Sequence, residues 1–290
     1  MLKPRKQRTI AESVAVEGFG YWSGRDVRVE FRPAKEDTGI TFVRGDLTGQ
    51  PRIPARVEYR TDTPLRSTLE YDGARVEMVE HIMATLGGLR IDNCEIWVNQ
   101  PEMPGCDGSC SSFVEALDRT EIVTQQSLRR QMAVGELIRA TRESAWIELG
   151  PSTDGELWLD YSLDYGPGPI GHQRLRLKLT PETFRHELAS SRTFLMEAEA
   201  ERLRSLGLGS RASFSDLLVF GPDGPIENTL RFEDECVRHK VLDLVGDLAL
   251  ADCDLIGSVT ASRSGHHLNA RLLQTFLTKS QSIGRYRRCA

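Results

Sequence analysis

The sequence predicts an α+β protein composed of two related halves that share one functional site. The chain has 290 residues, enough for two domains, since domains most often contain about 100–150 residues. Residues 79–88 can be aligned with residues 237–246, and each segment continues into an acidic turn and a strand-like stretch. Because each segment carries a histidine at the same position, we expect the site between the halves, where ligand sites are common.

The domain organisation follows from this repeat and from shifts in composition. We predict an N-terminal α+β domain over residues 1–124 and a C-terminal α+β domain over residues 125–290. The polar stretch 118–130 is typical of a linker. Residues 195–227 change from a charged helical pattern to Gly/Ser and Pro/Gly punctuation, which favours an inserted subdomain.

Periodicity predicts the individual elements. Alternating apolar residues predict half-buried strands at Val27, Val29 and Phe31, and at Leu175, Leu177 and Leu179. The pair Asp154-Gly155 lies between two apolar runs and predicts a hairpin turn. Thr180 and Pro181 are typical of the N-cap and first residue of a helix, which we expect to continue through Leu188. Helical apolar stripes occur at Val79, Ile82, Met83 and Leu86, and at Val237, Val241, Leu244, Val245 and Leu248.

Composition excludes several classes of protein. With 27% charged and 39% hydrophobic residues, the chain is typical of a soluble globular protein. A net charge of −5 gives no electrostatic case for binding nucleic acid. No apolar run approaches the roughly 18–20 residues of a membrane helix, and the basic N-terminus leads into no apolar signal core. We therefore expect a cytoplasmic protein, and we expect it to be a monomer.

The cysteines predict neither a disulfide framework nor a metal site. A chain this long needs no disulfides to fold. Cys106 and Cys110 are the only close pair, and no second Cys/His pair accompanies them at zinc-finger spacing. Small, partly buried thiols are the simpler interpretation for Cys94, Cys106, Cys110, Cys236, Cys253 and Cys289.

His239, Asp243 and Asp247 form the most informative group of polar residues, because they recur every four positions along a predicted helix. Side chains at this spacing lie on one face, about 5–6 Å apart at Cβ. An isolated His-x-x-x-Asp pair is more often a surface ion pair than a metal site. Three polar groups on a stripe that should be buried are costly unless they are hydrogen-bonded or bind metal, and this favours a metal site.

Glu80 and His81 supply a second histidine and a spare carboxylate. Adjacent Glu and His are common on helix surfaces, so this pair indicates little alone. If His81 binds a metal, Glu80 projects about 100° around the helix, beside the metal, where a base for bound water belongs. Two histidines, one carboxylate ligand and a base are the inventory of a catalytic zinc site.

The remaining polar positions carry no function by themselves. His266 and His267 follow a glycine after a predicted strand, which is equally typical of an ordinary loop histidine. Thr193 has no meaning alone, and the turn-rich loop 101–109 is structural by default.

Taken in order, these motifs resemble a known family of enzymes. The chain resembles the UDP-3-O-acyl-N-acetylglucosamine deacetylases, zinc enzymes of lipid A synthesis, from about residue 10 to residue 273, and the block 231–247 is the most specific part. The motifs are Val79-Glu80-His81, Asp92-Asn93, Pro101-Glu102-x-Pro104, Asp107-Gly108-Ser109, Arg192-Thr193-Phe194, Leu230-Arg231-Phe232-Glu233-Asp234-Glu235, Val237-Arg238-His239-Lys240, Leu242-Asp243, Gly246-Asp247 and Ser264-Gly265-His266-x-Leu268-Asn269.

The resemblance implies two similar α+β domains, each layering helices on sheet, with zinc between them. It implies that the insert near residues 195–227 forms an apolar passage for the acyl chain of a UDP-sugar substrate. An acylated product makes peripheral membrane contact a further hypothesis. The implied residue roles are zinc ligands His81, His239 and Asp243, general base Glu80, general acid His266 oriented by Asp247, oxyanion contact Thr193, and substrate contacts Lys240 and Phe194.

The chain also departs from the family pattern, always outside the implied zinc ligands. The usual Gly-Leu-His-Thr-Gly is Gly20-Tyr21-Trp22-Ser23-Gly24 here. The apolar pair expected after Pro104 is Gly105-Cys106, and Leu195 stands where glycine is frequent. These changes bear on substrate choice, above all on the acyl chain.

Three alternatives stay open at this stage. The same zinc chemistry could act on a different N-acetyl nucleotide sugar. A non-catalytic zinc-binding homologue would hold metal without turnover. A non-haem iron oxygenase also uses two histidines and one carboxylate, although Glu80 and His266 have no obvious place in it.

Overall fold

The computed structural model describes residues 4–282 as a mixture of short strands and helices. Up to residue 117 its elements are β1 (Lys6–Ile10), β2 (Val14–Phe19), β3 (Asp26–Pro33), β4 (Ile40–Arg44), β5 (Arg52–Pro54), β6 (Arg60–Thr61), β7 (Thr68–Tyr71), β8 (Ala74–Glu77), α1 (Glu80–Leu89), β9 (Cys94–Val98) and α2 (Ser111–Leu117). A 3-10 turn covers Val57–Tyr59.

The second part of the chain contains the longer helices. Its elements are β10 (Ile122–Leu128), β11 (Gln131–Ala133), β12 (Ile138–Arg142), β13 (Ala145–Gly150), β14 (Leu157–Asp164), β15 (His172–Lys178), α3 (Pro181–Thr183), β16 (Phe194–Met196), α4 (Glu197–Ser205), β17 (Leu218–Gly221), β18 (Gly224–Pro225), α5 (Glu235–Ala249), β19 (Asp254–Ser262) and α6 (His266–Ser282). The predicted α+β class is confirmed.

Two sheets repeat one topology. Their strand orders are β2-β3-β9-β4-β5 and β12-β13-β19-β14-β15, with β11 beside β19. In both sheets the central strand is antiparallel to the strand on one side and parallel to the strand on the other. Each central strand follows one of the two helices, α1 or α5, that contain the sequence repeat. The prediction of two related halves is thereby confirmed.

The repeated helices α1 and α5 pack directly against each other. Both are buried along nearly their whole length, as expected of helices in a protein interior. At Gly246 of α5, an added Cβ would lie 2.1 Å from the carbonyl oxygen of Glu80, so the two backbones touch there. At Gly87 of α1, an added Cβ would lie 3.0 Å from the Cβ of Ala249. Close approach of these helices therefore depends on glycine at positions 87 and 246.

Two three-stranded sheets accompany the two repeated ones. Strands β6, β7 and β8 form a sheet that immediately precedes α1. Strands β16, β17 and β18 form another, with α4 between its first two strands. The predicted charged helix in the insert corresponds to α4, and the Gly/Ser-rich punctuation follows it.

The predicted hairpin at Asp154-Gly155 is wrong. Strands β13 and β14, on either side of that turn, both pair with β19, which lies between them. A strand roughly a hundred positions later in the chain therefore occupies the place of the hairpin partner. Turn residues indicate that the chain reverses, but they carry no information about such a distant strand.

The predicted linker is also wrong in part. Residues 122–128 of that stretch form β10, which pairs antiparallel with β1 near the N-terminus. Polar composition was misleading because β10 is half-exposed along its length. The division of the chain at residue 124 into two domains stays a prediction.

Two local predictions are confirmed. Thr180 caps α3 in a reciprocal capping box with Thr183, and Pro181 is its first residue. The helix continues to Leu188 as a π-helical turn. The described cysteines are free and mostly buried thiols, whereas Cys289 lies outside the described residues. Within residues 4–282, no helix is long and apolar enough to span a membrane.

Gly246→Ala tests the contact between α1 and α5. The new methyl group must push the helices apart, and overpacking of this kind costs about 1–3 kcal/mol. We expect the free energy of unfolding, measured by urea denaturation, to fall by that amount. Gly87→Ala is the matched comparison, and its loss should be smaller, because its Cβ would lie 3.0 Å from a side-chain Cβ of Ala249 rather than against backbone. Equal losses in the two variants would contradict this account.

Candidate metal centre and catalytic residues

Three donor atoms from the two repeated helices converge in the interior. His81 of α1 and His239 and Asp243 of α5 each place one ligand atom within 4.8 Å of the other two. The Oδ1 atom of Asp243 lies 3.7 Å from Nε2 of His81 and 3.4 Å from Nε2 of His239. All three residues are buried. The predicted ligand set is thus brought together, with each half of the repeat supplying one histidine.

Neighbouring groups orient the side chains of His239 and Asp243. Nδ1 of His239 lies 3.1 Å from the carbonyl oxygen of Ser191, so that nitrogen donates and Nε2 keeps its lone pair. Burial lowers the pKa of His239 to about 4, which keeps the ring neutral. Lys240 donates to Oδ2 of Asp243 at 2.7 Å. Burial alone would raise the pKa of Asp243, but the Lys240 ammonium holds it well below its usual range.

The donor set fits a zinc ion. Ligands at 2.0–2.1 Å from a tetrahedral zinc lie about 3.3 Å from one another, and the two histidine–aspartate distances are 3.7 and 3.4 Å. A neutral imidazole and an ionised carboxylate are the protonation states that a metal requires. Three protein ligands leave a fourth position open, as in catalytic rather than structural zinc sites.

Glu80 begins α1, directly before His81. One carboxylate oxygen of Glu80 accepts a hydrogen bond from the backbone N–H of Ser67 at 2.9 Å. The other lies 3.9 Å from Nε2 of His266. Burial raises the pKa of Glu80 above its ordinary value, although the nearby histidines oppose this shift. A raised pKa suits a carboxylate that must accept a proton near neutral pH.

His266 begins α6 and pairs with Asp247 of α5. Its Nδ1 lies 2.8 Å from Oδ2 of Asp247. Burial by itself would lower the pKa of His266, but the Asp247 carboxylate overcomes this effect and raises the pKa to about 9. His266 is therefore protonated at neutral pH, with Nε2 directed toward Glu80. The neighbouring His267 pairs instead with the exposed Asp62 at 3.0 Å.

Asp247 is held by a complete hydrogen-bond network. Besides His266, it accepts from Oγ of Ser67 at 2.7 Å and from Nδ2 of Asn269 at 2.8 Å. Ser67 thus binds Asp247 through its hydroxyl and Glu80 through its amide. Such a network compensates for the cost of burying a carboxylate. The role of Ser67 was missed, because its bond to Asp247 joins residues 180 positions apart.

The remaining predicted residues line a cavity beside His81, His239 and Asp243. Thr193 is positioned by a hydrogen bond of 2.7 Å from its amide to the carbonyl oxygen of Gly108. Phe194 starts β16, and its ring lies edge-to-face against His239, with centroids 6.4 Å apart. The preceding residue, Arg192, is anchored by a buried ion pair of 2.8 Å with Glu235 at the start of α5. This ion pair ties β16 to the helix that carries His239.

The cavity beside the three ligands has a volume of about 750 Å³. Its lining includes the basic side chains of Arg142, Arg263 and Lys240, and apolar residues of β16, α4 and β17. Tyr165 also lines it and packs edge-to-face against Phe194, with centroids 5.6 Å apart. Neither Tyr165 nor the arginines were predicted as site residues, because no local pattern marks them.

Comparison with known proteins agrees with this geometry. Residues 7–278 match the sequence model of the family described as UDP-3-O-acyl N-acetylglycosamine deacetylase. Proteins named UDP-3-O-acyl-N-acetylglucosamine deacetylase from Brucella ovis, Brucella canis and Brucella suis are each 38% identical over 274 residues, which covers 94% of this chain and 95% of each relative. The resemblance predicted from the motifs is confirmed, and the chain belongs to the UDP-3-O-acyl N-acetylglycosamine deacetylase family.

Proposed function

We propose that this protein is a zinc-dependent deacetylase that hydrolyses the N-acetyl group of a UDP-3-O-acyl-N-acetylglucosamine, releasing acetate and a free amine. The single observation that carries the proposal is the convergence of two imidazoles and a carboxylate beside Glu80 and the His266–Asp247 pair. A metal site with both an acid and a base is suited to cleaving an amide.

His81, His239 and Asp243 are proposed to hold the zinc. The chemistry that zinc supplies in such a site is a lowered pKa of water, toward about 7, and polarisation of the substrate carbonyl. Asp243 keeps its negative charge through Lys240, and His239 keeps its tautomer through the Ser191 carbonyl. These contacts prepare the ligands before any ion binds.

Glu80 is proposed as the general base. It takes a proton from the attacking water as the water adds to the acetamide carbon. The Ser67 amide fixes one of its oxygens, which leaves the other free to accept the proton. The side chain of Thr193, on the cavity wall, is proposed to donate to the oxygen that becomes negative during attack.

His266 is proposed as the general acid. An amine is a poor leaving group unless it is protonated, and a cationic imidazole can supply that proton. Asp247 keeps His266 charged and holds its ring by a 2.8 Å bond. The amide then breaks to acetate and the free amine. Lys240 and Phe194, which line the same cavity, are proposed to contact the substrate.

The substrate and compartment complete the proposal. An acylated UDP-amino-sugar suits a cavity whose lining offers basic side chains to the phosphates and apolar side chains to an acyl chain. We propose a cytoplasmic monomer with domains 1–124 and 125–290, in agreement with its composition and with the sequence repeat.

Replacing the proposed base tests the assignment of Glu80. In Glu80→Gln we expect kcat to fall by roughly 10²–10⁴-fold, because general base catalysis contributes about that much. Bound zinc, measured on the same preparation, should be unchanged, since Glu80 is not a ligand. Glu115→Gln on the exposed side of α2 is the control. Deacetylation at the wild-type rate by Glu80→Gln would remove Glu80 from the mechanism.

The pH profile tests the assignment of His266. An acid with a pKa of about 9 supports the reaction below that pH, so kcat/KM should decline as the pH rises through it. Asp247→Asn removes the charge that raises this pKa, and burial then lowers it. The decline should therefore move to lower pH in Asp247→Asn and stay in place in His186→Gln, an exposed control. An unchanged profile in Asp247→Asn would refute the pairing.

Metal content tests the ligand set. His239→Ala removes one of three protein ligands, and we expect elemental analysis to find one equivalent of zinc in the wild type and almost none in this variant. His172→Ala, an exposed histidine on β15, should keep the full amount. Iron in the wild type together with oxygen consumption would favour the oxygenase alternative and overturn the proposal.

A further inference from the structure

An apolar branch of the cavity extends from the catalytic residues into the insert. Its wall contains Leu195, Ala200, Leu203, Leu208, Leu217 and Val219, and the same segment also brings Glu199, Arg204 and Ser213 to the cavity. Ala200, Leu217 and Val219 form a small cluster of their own, separate from the main core. Thr193 and Phe194 lie where this branch meets the metal ligands. An apolar surface that opens toward a reaction centre is suited to an apolar part of the substrate.

Tyr21 lines the same cavity, where it packs against the apolar cluster of the insert and is firmly fixed. Its ring packs against both the insert cluster and the main core. The hydroxyl group donates to the carbonyl oxygen of Asp216, and the carbonyl oxygen of Cys106 lies 3.3 Å away. The ring lies over Gly105, where an added Cβ would be only 2.2 Å from it. The glycine therefore makes the space that the ring occupies.

The turn that carries Tyr21 is also rigid. Both oxygens of the Glu102 carboxylate accept from backbone amides, that of Trp22 at 2.7 Å and that of Ser23 at 2.9 Å. At Gly20 an added Cβ would lie 2.3 Å from the Glu102 carboxylate. The two hydrogen bonds to Glu102 therefore require glycine at this position. The Arg66 guanidinium lies 4.6 Å from the centre of the Trp22 ring. The turn cannot swing away without breaking these contacts.

We infer that Tyr21 is a specificity-determining residue that limits the length of the 3-O-acyl chain this enzyme accepts, an inference that rests on the function proposed above. The phenol ring lines the cavity and packs against the apolar cluster of the insert, so it takes up space beside the surface proposed to hold the acyl chain. Because the ring is held by the insert, by Gly105 and by a rigid turn, an acyl chain cannot displace it at low cost. Methylenes beyond the reach of the branch stay in water and contribute nothing to binding.

The test uses substrates whose acyl chains lengthen by two methylenes at a time. For wild type, kcat/KM should rise with chain length, pass through a maximum and then level off or fall. In Tyr21→Leu the maximum should move to longer chains, with a gain of about fourfold for each further methylene that becomes buried. Tyr21→Phe is the matched control, because it keeps the ring and loses only the hydroxyl group, and its maximum should stay in place.

A second measurement separates this inference from the proposed function. Saturated fatty acids of the same lengths are titrated calorimetrically into wild type, Tyr21→Leu and Tyr21→Phe, which requires no turnover. If Tyr21→Leu binds longer fatty acids best but no substrate yields acetate, the role of Tyr21 is supported and the deacetylase proposal is refuted. If both wild type and Tyr21→Leu release acetate and prefer the same acyl-chain length, the role of Tyr21 alone would be overturned. If Tyr21→Leu fails to fold, Tyr21→Met carries the same prediction.

Discussion

The backbone contact between α1 and α5 is the constraint on which the rest of the structure depends. Each helix carries part of the ligand set, so the distance between the helices determines whether His81 can meet His239 and Asp243. Gly246 permits this distance, because any side chain there would collide with the carbonyl of Glu80. The backbone of Gly246 thus touches the residue proposed as the base. The packing of the helices and the position of the proposed base therefore depend on one contact.

A second constraint is electrostatic. Glu80, Asp243 and Asp247 are all buried within a small volume, and buried carboxylates are costly unless they are paired or hydrogen-bonded. Each has a different solution: Lys240 for Asp243, a network of three donors for Asp247, and the Ser67 amide for Glu80. These unequal environments lower the pKa of the two aspartates and raise that of Glu80. Three neighbouring carboxylates thereby differ in pKa, as their proposed roles of metal ligand, partner of the acid, and base require.

Much of the site could be predicted from sequence because its main residues lie on two strongly periodic helices. Spacing placed His239, Asp243 and Asp247 on one face, and the repeat related His81 to His239. What could not be predicted depends on contacts between distant segments. Ser67 carries no local signal for its bond to Asp247, and Tyr165 becomes a cavity residue only when β14 lies beside α5. The incorrect hairpin at Asp154-Gly155 has the same origin, since β19 enters between strands that are close in sequence.

The most direct test of the central claim joins activity and metal content in one preparation. Acetate release from UDP-3-O-acyl-N-acetylglucosamine is measured while zinc is removed by a chelator and then restored in known amounts. If His81, His239 and Asp243 form a catalytic zinc site, acetate release should fall with the zinc content and recover in proportion to the zinc returned. Full activity after zinc removal, or no acetate release by the fully zinc-loaded protein, would contradict the account.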